Sequence, residues 1–103
     1  MTQALQTVEG VNVDALAGLV GTCPSVARLG SPRPGGTTTY LPGRRVAGLR
    51  ISSDRIDVEV VARWGFAVTD VAADIRRAVA AVAPGRRVDV SIADVELPGS
   101  EQE

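Results

Sequence analysis

Asp57 and Glu59 are the residues of this 103-residue chain whose type and spacing come nearest to catalytic chemistry. In "IDVEVVARW", Ile56 to Trp64, they stand at i and i+2, so in an extended strand both carboxylates project from one face. Such a pair can divide acid and base roles or chelate a cation. Histidine is absent, which removes the commonest general base and the commonest zinc ligand. Arg50 and Arg63 are near enough in the pattern to neutralise both acids, so the expectation is a solvated ion network. Cys23, the sole cysteine, falls at the C-terminal end of an expected helix, where the dipole disfavours a thiolate. An inert, partly buried thiol without a disulfide is expected there.

Three other stretches invite a binding role. "PGGTTT", Pro34 to Thr39, lacks the lysine, the glycine spacing and the strand-loop-helix setting of a phosphate-binding loop, and reads as surface loop. Arg33, Arg44 and Arg45 around Tyr40 form the best candidate for an anion or nucleic-acid patch, because a ring among arginines can stack a base while they hold phosphate. "PGRRV" occurs twice, at Pro42 to Val46 and Pro84 to Val88. If both turns fall at one end of the sheet, Arg44, Arg45, Arg86 and Arg87 join into one basic edge. Trp64 and Phe66, in "WGF", either plug the open end of the fold or offer an aromatic anchor to a protein partner. No catalytic residue, cofactor or metal site is expected, and the chain reads as a non-enzyme.

Composition narrows the classes further. The chain is 45% hydrophobic with only three aromatic residues, so its core must be aliphatic and thin, for which self-association is one remedy. All basic residues are arginine, and 11 of them against 12 acids leave a net charge of -1, too small to draw in nucleic acid or an anionic membrane by a global field. Nucleic acid is therefore the lesser alternative, and no apolar run approaches a membrane span. A cytoplasmic location is the default expectation.

The elements that must position these residues follow from periodicity. Residues 1–10 read as a flexible tail with a short extended piece near Val8, residues 11–97 as a single domain, and residues 98–103 as a polar tail. Asn12 caps a helix over about 13–22, and Ser25 to Leu29 is a short strand. Gly30 to Gly43 is the stretch densest in proline and glycine and reads as a long loop. In "RVAGLRI", Ala47, Leu49 and Ile51 share one strand face; pairing Ile51 with Ile56 sets Leu49 against Val58 and Arg50 against Asp57 in an antiparallel hairpin. A second helix begins at Val68, its stripe being Val68, Val71, Ala72, Ile75, Val79 and Val82, and Pro84 and Gly85 end it. The last strand alternates Val88, Val90 and Ile92, then resumes at Val95 and Leu97 after a bulge near Ala93. The expected fold is α+β: a two-layer α/β sandwich in the order helix-strand-strand-strand-helix-strand, with helices on one face of a small mixed sheet. The other face, with Arg50, Asp57, Glu59, Arg63, Asp89 and Ser91, is expected to be polar and wet.

Read in order, "VNVDALAGLVGTCPSVARL", "VAGLRISSDRIDVEVVARWGFAVTDVAADIRRAVAAV" and "VDVSIADVEL" resemble the alkaline shock, or Gls-type envelope stress response, family. The pattern spans roughly Val11 to Leu97, and its most telling part is the pair Trp64-Gly65 between a β run and an amphipathic helix. The tails here are short and the acidic surplus of the family is missing. The resemblance implies a small cytoplasmic, non-enzymatic interaction or scaffold protein, able to self-associate and, in some relatives, held at the membrane by an anchored partner. It implies no catalytic residues.

Overall fold

A computed structural model describes residues 6–98. The elements are β1 (Thr7–Val8), β2 (Val11–Asn12), α1 (Val13–Gly21), β3 (Val26–Leu29), β4 (Thr38–Leu41), β5 (Arg44–Ala47), β6 (Leu49–Ile51), β7 (Arg55–Arg63), α2 (Val68–Val82) and β8 (Arg87–Glu96). The protein is small and α+β, with antiparallel and mixed sheets. Ten elements replace the six expected, because two short ribbons escaped the reading by periodicity. The extended piece near Val8 is β1, paired antiparallel with β2, so ordered structure reaches back before Val11. Residues 1–5 and 99–103, the bulk of the two expected tails, lie outside the described residues.

Strand β7 organises the rest. One of its edges runs parallel with β8 from Arg55↔Arg87 to Arg63↔Glu96; the other carries β6 and β3 in succession, both antiparallel. The expected hairpin register is the one observed: Ile51↔Ile56, Arg50↔Asp57 and Leu49↔Val58. The expected bulge is also found, since Val60 pairs with Ile92 and Val61 with Asp94, leaving Ala93 out of register.

Two expectations fail at the same place. Gly30 to Gly43 is not simply a loop, for its last part forms β4, which pairs with β5 across a turn at Pro42 and Gly43. "RVAGLRI" is not one strand, because it breaks at Gly48, whose φ of +92° is left-handed. The geometry explains both. Gly30 donates its backbone N–H to the Glu59 carbonyl and Gly48 accepts from the Glu59 N–H, each at 2.8 Å. Two glycines together fill the single position that would face Glu59 in an unbroken strand, with Leu29↔Val60 before it and Leu49↔Val58 after. Residues 31–47 are a hairpin flap extruded from one continuous strand line.

The core gathers the apolar stripes of both helices onto alternate residues of β7. Leu16, Val20, Val71, Ile75 and Val79 share it with Ile56, Val58, Val60 and Ala62. Asn12 caps α1 by accepting the Ala15 N–H at 3.0 Å. Val68, expected in the buried stripe, is 68% exposed, because it lies one turn beyond the end of the core. No helix among the described residues is long and apolar enough to cross a membrane.

Candidate functional site

Where β7 gives way to α2, the link Trp64-Gly65-Phe66-Ala67 turns at Gly65, with φ +99°. The Trp64 N–H donates to the Glu96 carbonyl at 3.0 Å, which ties the link to the end of β8. The rings do not plug the fold: Trp64 is 62% and Phe66 44% exposed. They form one wall of a groove of about 670 Å³ whose other walls are Val68, Val71 and Ala72 of α2 and Val90, Ile92 and Val95 of β8. Arg63 and Arg76 also line it, no carboxylate does, and neither arginine enters an ion pair among the described residues. Of the candidate partner-binding residues, the structure therefore brings together Trp64, Phe66 and Arg63. Sequence reasoning missed Arg76, although a helix residue one turn after Ala72 was a legible signal, and it missed the place of Val90, Ile92 and Val95 beside the rings, for which no local signal exists.

Arg50, Asp57 and Glu59 lie elsewhere and are separated from one another in role. Glu59 is 3% exposed, not wet, because the flap folds over it. Its partner is Arg33 of the flap, neither Arg50 nor Arg63. The Arg33 hydrogen bond holds the Glu59 carboxyl below the usual range, aided by the Thr37 N–H and hydroxyl, while burial pushes the other way. Asp57 meets Arg55 at 3.3 Å, and Arg50 donates to the Gly36 carbonyl at 3.0 Å. An acid/base pair needs both carboxylates at one accessible point, whereas Glu59 is latched under the flap.

The arginine patch is also divided. Arg44 bonds Asp14 at 2.7 Å and the Gln6 side chain, Arg86 donates to the Ser52 carbonyl at 3.0 Å and to the Glu9 carbonyl, and Arg87 meets Asp89 at 3.1 Å. The two PGRRV turns thus serve different internal contacts rather than one free basic edge. Arg33, Tyr40 and Arg45 do come together, lining a shallow hollow of about 310 Å³ on the flap with Tyr40 76% exposed.

Cys23 is buried as expected, and desolvation, then the Asp74 charge, raises its thiol. Beside it, fully buried Ser25 donates to Asp74 at 2.8 Å, an inter-element tie that periodicity gives no means of finding. Among the described residues no group of three His, Cys, Asp or Glu side chains is placed to hold a metal ion. Comparison of the chain with models of known protein families, with curated proteins and with solved structures finds no match.

Proposed function

We propose that this chain is a non-enzymatic interaction or scaffold module that engages a protein partner through the Trp64–Phe66 groove. This is the role that its resemblance to the alkaline shock family implies, in the response to envelope stress. The observation that carries the reading is an exposed apolar groove walled by two of the three aromatic side chains in the molecule. A protein with so few rings that holds them out of its core is disposed to spend them on contact. In this reading the two helices form one layer over one face of the sheet, a two-layer sandwich, and the groove is the part of that face left uncovered. The location that goes with it is cytoplasmic, or peripheral at the inner membrane face through an anchored partner, with self-association as a further option.

A photo-crosslinking residue placed at position 64, and separately at position 40, tests this in cells. Protein adducts from position 64 that disappear when Phe66 is also changed to Ala are the expected result; adducts with nucleic acid alone overturn it. The hollow that joins Arg33, Tyr40 and Arg45 favours a second reading, a small nucleic-acid-binding module. Binding of a short single strand that falls steeply with salt supports it, and no binding at low salt removes it.

A further inference from the structure

We propose that the groove and the free edge of β8 together accept an extended segment of a partner protein, added as a strand beside β8, whose groove-facing side chains are apolar and end in an acid beside Arg76. The proposal rests on reading the Trp64–Phe66 groove as a protein-docking surface and specifies what occupies it.

The backbone supplies the first argument. Among the described residues β8 pairs only with β7. The Arg87 N–H donates inward to Asp54, and the Glu96 carbonyl accepts inward from Trp64. Alternation along a strand then turns the amides of Asp89 and Ser91 inward and those of Val88, Val90 and Ile92 outward. Arg76 agrees with this, since it reaches the Val88 carbonyl at 3.4 Å. Val90 and Ile92 have no backbone partner on that outer edge among the described residues. A strand laid there gains ladder hydrogen bonds, and every second side chain drops into the groove against Val90, Ile92 and Val95.

Charge supplies the second. Arg76 reaches the Val88 carbonyl and so stands on the groove side at the start of this edge, whereas Arg63, cross-strand from Glu96 on β7, shares the face of Glu96, opposite the groove. Arg76 is outside ion pairs among the described residues, and the groove beyond it is apolar. A carboxylate on the groove side of an added strand, at the end that lies beside Val88, comes within reach of that arginine. The opposite side of β8 carries Asp89, Asp94 and Glu96, so the alternate residues of the added strand are neutral rather than acidic.

The experiment uses the full chain and a capped peptide, Glu-Thr-Val-Thr-Val-Thr-Val-Thr-Glu, whose two acids present one to Arg76 in either strand direction, titrated to about 1 mM. Trp64, the only tryptophan, reports occupancy by a blue shift, and exchange of the Val90 and Ile92 amides with solvent slows. A version with Lys for both Glu binds about tenfold more weakly, and the variant Arg76→Glu reverses that preference. Methylating the peptide's edge-facing amides abolishes binding. Equal affinity for the two peptides, a shift produced only by laurate, or a dimer of the chain itself that protects the same amides overturns the proposal. Protein adducts from position 64 without peptide binding overturn strand addition alone; absence of both removes the docking reading as well.

Discussion

Glu59 is the residue that sequence reasoning placed most wrongly, and its surroundings explain why. Its alternation with Asp57 is that of a solvated strand face, but a flap inserted earlier in the strand line returns to cover it and brings Arg33 as counter-charge. With Glu59 nearly inaccessible, removing its partner is worse than removing its charge. Arg33→Ala should lower stability in denaturant unfolding more than Glu59→Gln does. Because the folded carboxyl sits below its unfolded value, the latch contributes fully above the unfolded value and is lost as pH falls through the folded one. Asp74, lowered by the Ser25 hydroxyl and then by Arg77, adds a loss of the same sign. Stability measured from neutral to acid pH should therefore fall more steeply in the unaltered protein than in the Glu59→Gln variant. Gly48 tests the same junction from the backbone: a Cβ there would lie 2.8 Å from the Leu29 Cβ and 2.9 Å from the Glu59 carbonyl, at a φ that disfavours any side chain. Gly48→Ala should cost about 3 kcal/mol or more by the same unfolding measurement.

At the scale of elements, what could be read from the sequence was whatever a single period governs. Both helices, the β6–β7 register and the Ala93 bulge follow from local alternation that one buried face enforces. The β4–β5 ribbon did not, because Thr38, Thr39 and Tyr40 share no apolar period and the proline and glycine around them carry the signal of a loop. Nor was the Trp64–Phe66 groove fully legible: the rings stood out, but its far wall is β8, brought there by a parallel pairing across the whole of α2. The flap account makes its own prediction. If Gly30 and Gly48 jointly occupy one position opposite Glu59, deleting residues 31–48 to lead Gly30 directly into Leu49 restores an unbroken strand. The shortened protein should keep its helical circular dichroism and a single cooperative melt, and should lose any affinity that depends on Arg33, Tyr40 and Arg45. A non-cooperative melt would show instead that the ribbon is integral to the core.

For the molecule as a whole, the informative division is between what the core uses and what it leaves outside. The largest fully buried side chains are Leu16, Leu49, Ile56 and Ile75, joined by eight valines, and no ring is among them. All three aromatic residues are exposed. An aliphatic core of this kind is sensitive to truncation at any member, so Ile75→Ala should cost about 2 to 5 kcal/mol. Trp64→Ala and Phe66→Ala remove much larger groups, yet neither ring fills the core, and each should change unfolding free energy by no more than about 1 kcal/mol. Their effect belongs to contact instead: either substitution should weaken partner binding by about tenfold or more, as truncation of an interface anchor does. Urea unfolding and binding titrations on the same three variants check this together. The result expected is a crossed pattern, with Ile75→Ala unstable but able to bind while folded and the ring variants stable but unable to bind. A Trp64→Ala variant that unfolds as readily as Ile75→Ala would make the ring a structural plug after all, and the groove would lose its claim to function.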